Sequence, residues 1–173
     1  DALLQLRKAV DIRPEQVESI SCKISRTQAR NLRFPDPKNG NESKFSMPYC
    51  ISRALLRGQL TLEDFEDPAI KEPRVRALLP RVSVIGSEQK LGGKPLDNEV
   101  VVKLKNGTEH VCKTTEPKGD PKNPMTQDEL FNKFRDCAKR RLETEKIEKI
   151  IESIMKIDKL GNIKELTDRV TYL

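Results

Sequence analysis

A β-hairpin signal between residues 99 and 114 constrains the fold of this chain most. The run "EVVVKLKNGTEHVCKT" places two β-branched stretches around Asn106-Gly107, a pair preferred in two-residue type I′ turns. A two-residue turn there pairs Val102 with Val111 and puts His110 opposite Lys103, on the solvent side of the sheet. The chain must therefore contain antiparallel strands, and an all-helical fold is excluded.

Two further strands are predicted from the apolar pattern. Ile20, Cys22 and Ile24 alternate with polar residues, which is the period of a half-buried strand, and "RVSVIG" at 81–86 is a second short strand. The segment 33–43, rich in proline, glycine and asparagine, is predicted to be a loop.

Helices are predicted on both sides of these strands. Residues 1–10 have a partial helical face, and a helix should run from Ser46 to about Leu56 before Gly58. Short helices follow Thr61 and Pro73. A capping box at Thr126 begins another helix, and a last long one starts near Thr144. The helix from Thr144 should carry a stripe of isoleucines that is buried in the whole protein: Ile147, Ile150, Ile151, Ile154 and Ile157. In this fragment the stripe should be partly exposed, paired with another copy or folded back onto its own domain. A last short helix is predicted at 163–173. The order of elements predicts an α+β fold, with a small antiparallel-rich sheet, helices on one side and C-terminal helices.

Composition excludes several function classes. The net charge of +6 invites a nucleic-acid partner, but basic and acidic residues alternate along the whole chain. With no Trp, 2 Tyr and 5 Phe, little aromatic surface could stack on bases. No apolar run approaches the roughly 18 residues of a membrane span. We therefore expect a cytoplasmic protein that binds neither nucleic acid nor membranes.

The metal-ligating and nucleophilic residue types are sparse. The 4 cysteines lie far apart, and His110 is the only histidine, so no metal site is expected. The cysteines should be reduced and buried. "IGSEQKLGGK" lacks the spacing of a phosphate-binding loop, and acidic pairs such as Glu63 and Asp64 are interpreted as solvated. The residues alone show no complete catalytic set.

The start of the helix at Ser46 is the best candidate for an anion site. If Ser46 is the N-cap, Pro48 falls in the first turn, where its missing N–H costs little. Lys44 and Tyr49 would add a cation and a hydroxyl donor beside the free N–H groups, a set that suits a carboxylate. The alternative is an ordinary capped helix with Lys44 in water and Tyr49 half-packed.

Three segments carry a resemblance to a known family. They are "ESKFSMPYCISRALLRGQLTLEDFEDPAIKEPRVRALLPRVSV" at 42–84, "EPKGDPKNPMTQDELFNKFRDCA" at 116–138 and "LLQLRKAVDIRPEQVESISCKIS" at 3–25. The first resembles the central signature of the MmgE/PrpD family, and the second its Pro-Lys-Gly loop and following helix. The third resembles the segment that enters the smaller domain of that family.

The resemblance implies an organisation and a chemistry. Family members have a large helical domain that holds most proposed acid and base groups, and a smaller α+β lid. By resemblance, residues 1–124 form the lid, and 125–173 form C-terminal helices that pack on a helical domain missing from this fragment. Members are lyases or epimerases of di- and tricarboxylates that use no cofactor. We expect a 2-methylcitrate dehydratase-like enzyme of propionate catabolism, whose full-length form is a homodimer.

Site residues follow from the same resemblance. Lys44 and Ser46 would hold a substrate carboxylate, Tyr49 would supply a proton or hydrogen bond, and Lys118 and Gly119 would face the cleft. A family decarboxylase or epimerase stays open, as does a noncatalytic binding module that shares the lid fold.

Overall fold

The computed structural model describes residues 1–88 and 98–171 and divides them into two compact units. The first unit ends at Lys118 and the second begins at Gly119. The sequence prediction placed this boundary six positions later, after residue 124. The glycine- and lysine-rich stretch between the second and third strands lies mostly outside the described residues.

The first unit contains a mixed four-stranded sheet with helices against it. Its elements in chain order are α1 (Ala2–Ala9), β1 (Val17–Ser25), α2 (Arg26–Asn31), α3 (Gly40–Lys44), α4 (Met47–Arg57), α5 (Asp67–Ile70), α6 (Pro73–Leu78), β2 (Val82–Ser87), β3 (Asn98–Leu104) and β4 (Glu109–Thr114). Short 3₁₀ turns occur at Pro14–Gln16, Leu62–Phe65 and Leu79–Arg81. The predicted α+β class is confirmed. The sequence analysis does not predict helices α2 and α3, since it has no element directly after β1 and a loop at 33–43.

The strand order is β2-β1-β3-β4, with β1 parallel to β2 and the other two pairs antiparallel. In β1, Ile20 and Cys22 point to the buried face, opposite Val102 and Val100 of β3. Helices α1 and α4 pack on this face, where Leu55 and Val102 are fully buried. Full burial of such a side chain contributes about 1.5–3 kcal/mol, so this layer is the main stabilising feature of the unit.

The β3–β4 hairpin has a different turn from the predicted one. Gly107 donates its N–H to the Leu104 carbonyl, and Leu104 pairs with Thr108, which leaves a three-residue loop. Gly107 has φ 85°, while none of the non-glycine residues in 1–88 and 98–171 has positive φ, so a type I′ turn is excluded. One extra loop residue shifts the register by one, so that His110 pairs with Val102. His110 is therefore half-buried on the helix-covered face, and the predicted solvent-side position is wrong.

The second unit is helical. It contains α7 (Gln127–Ala138), α8 (Thr144–Met155), a 3₁₀ turn at Ile157–Lys159 and α9 (Lys164–Val170). The predicted capping box is confirmed, since the Thr126 hydroxyl accepts the Glu129 N–H. None of the helices in the described part of the chain is long and apolar enough to cross a membrane.

The isoleucine stripe of α8 is buried along only part of its length. Ile147, Ile150 and Ile151 are buried, whereas Ile154 and Ile157 are 42% and 52% exposed. The stripe is therefore partly exposed at its C-terminal end, which is one of the outcomes predicted for it in this fragment. An apolar groove of about 370 Å³ runs between α7 and α8, lined by Leu130, Phe131, Lys133, Phe134, Cys137, Ile151 and Ile154.

Candidate functional site

The start of α4 has the capping that the sequence predicts. The Ser46 hydroxyl accepts the Tyr49 N–H at 3.2 Å, and Pro48 lies in the first turn. Gly58 ends the helix with φ 74°, a conformation that strongly favours glycine. A methyl group at Gly58 would also lie 2.9 Å from the Arg7 guanidinium, which bonds the Ala54 carbonyl.

The same start offers fewer donors to an anion than expected. Pro48 has no N–H, the Tyr49 N–H bonds the Ser46 hydroxyl, and the Cys50 N–H bonds the Ser46 carbonyl at 3.0 Å. Ser46 itself is fully buried. Lys44, the last residue of α3, is exposed. Of the predicted anion site, the lysine side chain is thus the part that reaches solvent.

Tyr49 lies in the core of the first unit. It is fully buried, its hydroxyl donates to the Asp64 carbonyl, and its ring centroid is 6.1 Å from that of Phe65. Burial raises the pKa of Tyr49 to about 12, so the phenol stays protonated near neutral pH. The prediction that Tyr49 faces solvent beside Lys44 is wrong. Its proposed role in proton donation is not supported by this position.

A buried polar network surrounds Tyr49, and sequence reasoning missed it. Arg53 is 2% exposed and binds Asp64 through two guanidinium nitrogens, with Nε 2.9 Å from Oδ1. A third nitrogen donates to the Glu72 carboxylate. The second oxygen of Asp64 accepts the Thr61 N–H at 2.7 Å and the Thr61 hydroxyl at 3.1 Å. Each of these buried charges is therefore compensated.

The ionisation of Asp64 follows from these contacts. Burial alone would raise the pKa of its carboxyl group, but the Thr61 N–H and the Arg53 guanidinium outweigh burial and lower it. The interpretation of Asp64 as a solvated residue is wrong. The signal that could have revealed the network is the spacing of Tyr49 and Arg53, which share one face of α4.

Lys118 and Gly119 lie where the two units meet along the chain. The Lys118 N–H donates to the Asp1 carboxylate at 2.6 Å, and Lys118 is exposed. Gly119 has φ 94°, and its N–H donates to the Asn123 carbonyl at 2.9 Å. Neither of these two hydrogen bonds connects Lys118 or Gly119 to the other predicted site residues, Lys44 and Ser46. A role for Lys118 and Gly119 in substrate binding stays a prediction.

A cavity of about 440 Å³ lies beside the start of α4. Its lining comprises Pro35, Asp36, Pro48, Arg76, Leu79, Pro80 and Val82. Arg76 pairs with Asp36 and donates to the Pro37 carbonyl at 3.1 Å. Arg76 already has a carboxylate and a carbonyl partner, so it is not an unpaired cation available to an anion in this cavity.

Cys22 and Cys50 are packed within the first unit and are not reactive thiols. Burial raises the pKa of Cys22 to about 12 and that of Cys50 to about 11, so both thiols are protonated and poor nucleophiles. Cys137 is exposed, contrary to the prediction that the cysteines are buried. Within residues 1–88 and 98–171, no three His, Cys, Asp or Glu side chains cluster closely enough to hold a metal ion.

Comparison with known proteins gives this geometry its context. Residues 1–158 match the MmgE/PrpD C-terminal domain. The chain is 29% identical over 162 residues to a cis-aconitate decarboxylase of Mus musculus. The aligned region covers 88% of this chain and 31% of the relative. It is 27% identical over 154 residues to the Homo sapiens cis-aconitate decarboxylase, covering 88% of this chain and 32% of the relative.

A fungal relative gives a similar result. The cis-aconitate decarboxylase-like protein oryM of Aspergillus oryzae is 26% identical over 132 residues, or 75% of this chain and 27% of the relative. The chain thus spans about a third of the length of the curated relatives that it matches. The domain match covers most of the chain, and on that basis the chain belongs to the MmgE/PrpD family.

Proposed function

We propose that the natural protein carrying this chain is a lyase of di- or tricarboxylates, and that this chain forms its C-terminal, lid-like portion. The observation that carries the proposal is the family match over residues 1–158. The similarity to cis-aconitate decarboxylases supports a lyase over a noncatalytic binding module.

Decarboxylation of cis-aconitate is the reaction that the relatives favour. Such a reaction breaks the bond between carbon and a carboxylate, releases CO₂ and leaves an electron pair that must take up a proton. It needs cationic donors for the carboxylates and a group that delivers the proton. Dehydration of 2-methylcitrate, which the sequence resemblance suggested, is the competing reaction and needs a base and an acid instead.

This chain is better suited to supply a cation that binds a carboxylate than a group that transfers a proton. Lys44 is an exposed ammonium that can hold a carboxylate. Tyr49 is buried with a raised pKa, and His110 is half-buried on the helix-covered face of the sheet. The proton-transfer groups are therefore proposed to lie in the part of the protein that corresponds to the other two thirds of the relatives. Homodimer formation, a cytoplasmic location and independence of cofactors remain predictions.

The groove of the second unit is proposed to pack against that other part. Its lining is almost entirely apolar, and Leu130 and Ile154 are 55% and 42% exposed. Exposed apolar clusters of this kind mark interaction surfaces. The role of residues 125–173 as helices that dock on a helical domain stays part of this proposal.

The experiment is an assay of the protein expressed from its complete reading frame. It is incubated separately with cis-aconitate, 2-methylcitrate, citrate and iminodisuccinate, with chain 1–173 alone as the control. We expect CO₂ release from cis-aconitate by the complete protein and no turnover by the control. Water loss from 2-methylcitrate without CO₂ release would replace decarboxylation by dehydration. No turnover of any of the four acids would contradict the proposal and favour a binding module.

A further inference from the structure

The segment from Arg33 to Ser46 carries positive charge that its own carboxylates do not neutralise. Asp36 pairs with Lys38 and Arg76. Glu42 accepts the Lys38 N–H at 2.7 Å and binds the Asn39 side chain at 3.2 Å. The acidic groups of the segment are thus engaged away from its two ends.

Arg33 and Lys44 stand at those ends without an anionic partner. Both are exposed, and among the described residues neither is hydrogen-bonded or paired through its side chain to a carboxylate. The Arg33 guanidinium lies over the Phe34 ring, 5.2 Å from its centroid. Stacking on a ring leaves the edge of the guanidinium, where its N–H donors point, open to a ligand.

The backbone holds these two ends side by side. An antiparallel bridge joins Arg33 to Ser46, and the Phe34 N–H donates to the Phe45 carbonyl at 3.3 Å. Lys44 immediately precedes this paired stretch. Ser46 is fixed in turn as the buried cap of α4, so the bridge attaches the backbone of Arg33 to the helix start, two residues after Lys44.

An apolar side chain lies within the same stretch. Phe45 is 52% exposed and directly follows Lys44 in the sequence. Arg33, Phe34, Lys44 and Phe45 together form what we call the cation–aromatic patch. Two cations on separate chain segments with a ring beside them suit a small ligand that has several carboxylates on a carbon skeleton.

We propose that Arg33 acts with Lys44 to bind two carboxylates of one di- or tricarboxylate ligand, with Phe45 against its carbon skeleton. Arg33 is the new residue in this assignment, since the sequence pointed to Lys44 alone. The ligand class rests on the proposed function, but the binding itself does not require turnover. Arg33 binds its carboxylate through a bidentate contact, which lysine cannot reproduce.

The test is an NMR titration of chain 1–173 with tricarballylate, a saturated tricarboxylate that a lyase of this class cannot turn over. We expect saturable amide shifts centred on residues 33–34 and 44–46. Arg33→Ala and Lys44→Ala should each weaken binding about tenfold, as loss of a charge-assisted contact does. Arg33→Lys should recover only part of the loss.

Matched controls distinguish a specific contact from loss of general charge. Arg57→Ala removes an exposed arginine at the end of α4, and Lys105→Ala removes an exposed lysine of the hairpin turn. Both should bind tricarballylate within about twofold of wild type, because charges beyond about 10 Å are screened at ordinary salt. Acetate should bind far more weakly than tricarballylate.

Three results would overturn the proposal. They are the absence of saturable shifts at millimolar tricarballylate, an Arg33→Ala variant that binds as well as wild type, and inorganic phosphate that binds as tightly as tricarballylate.

The proposed function can fail independently of the binding proposal. If this chain binds tricarballylate but the complete protein turns over none of the acids, the binding proposal stands and the lyase proposal fails. If the complete protein carrying Arg33→Ala turns over its substrate with unchanged kinetics, the lyase proposal stands and the binding proposal fails.

Discussion

Arg53 lies within α4 and Arg33 is bridged to its N-cap residue Ser46, and the environments of the two arginines are opposite. Arg53 is 2% exposed and binds both Asp64 and Glu72. Arg33 is exposed and contacts a ring instead of a carboxylate. A buried cation must be compensated inside the protein, because desolvation costs several kcal/mol per ion. An exposed cation can remain unpaired until a ligand arrives. The comparison thus separates arginines that stabilise the fold from those available for binding.

Removal of the buried arginine should have the largest effect. Arg53→Ala leaves the Asp64 carboxylate buried without its guanidinium, which costs about 3–5 kcal/mol of unfolding free energy. Urea denaturation followed by circular dichroism measures the loss. Arg57→Ala on the same helix is the control and should change stability by no more than about 0.5 kcal/mol. Equal losses in the two variants would show that burial does not distinguish these arginines.

Replacement of the buried carboxylate should give a loss that depends on pH. Because the pKa of Asp64 is lowered in the folded state, its stabilisation is complete above its unfolded pKa of about 4 and is lost as the pH falls through the folded value. Asp64→Asn should therefore be less stable than wild type by about 2–3 kcal/mol at pH 7. The difference should shrink in acid. A difference independent of pH would contradict a charged Asp64.

The Tyr49 hydroxyl should have a smaller effect. Tyr49→Phe removes the hydrogen bond to the Asp64 carbonyl and should cost about 1 kcal/mol of unfolding free energy. In the complete protein, we expect its kcat to stay close to that of wild type. A large fall in kcat with unchanged stability would instead return Tyr49 to the catalytic site. Thermal unfolding and steady-state kinetics on the same preparation separate the two outcomes.

The exposed cations should matter least for folding. Arg33→Ala and Lys44→Ala should each alter the unfolding free energy by less than about 0.5 kcal/mol, because surface side chains without partners contribute little. A loss near that of Arg53→Ala would show that Arg33 is structural, and it would remove the basis for assigning it to a ligand.

Much of the local structure could be predicted from the sequence. Ser46 and Gly58 fix both ends of α4, and Thr126 with Glu129 fixes the start of α7, because capping depends on residues close in sequence. The hairpin was recognised, but its register was not. Asn106-Gly107 is compatible with a two-residue and with a three-residue loop. The structure has the second, which places Cys112 opposite Val100 and leaves Val111 52% exposed.

The parts that depend on distant residues could not be predicted. The parallel pairing of β1 with β2 joins segments about 60 residues apart. Burial of Asp64 requires Arg53, and the Thr61–Asp64 capping pattern gives no sign of this partner. The bridge between Arg33 and Ser46 likewise spans a loop that the sequence left undefined. The sequence places Tyr49 at the cleft because Lys44 and Ser46 closely precede it. In the structure, its side chain is buried in the core.

Urea unfolding of wild type and Arg33→Ala, each with and without tricarballylate, tests the central comparison in one measurement. A ligand that binds the folded state stabilises it by RT ln(1 + L/Kd), where L is the free ligand concentration, so tighter binding gives a larger gain at the same ligand concentration. The account predicts equal stabilities without ligand, and a stabilisation by tricarballylate that wild type shows and Arg33→Ala largely loses. An equal gain in both proteins, or a lower stability of Arg33→Ala without ligand, would contradict the division between binding and structural arginines.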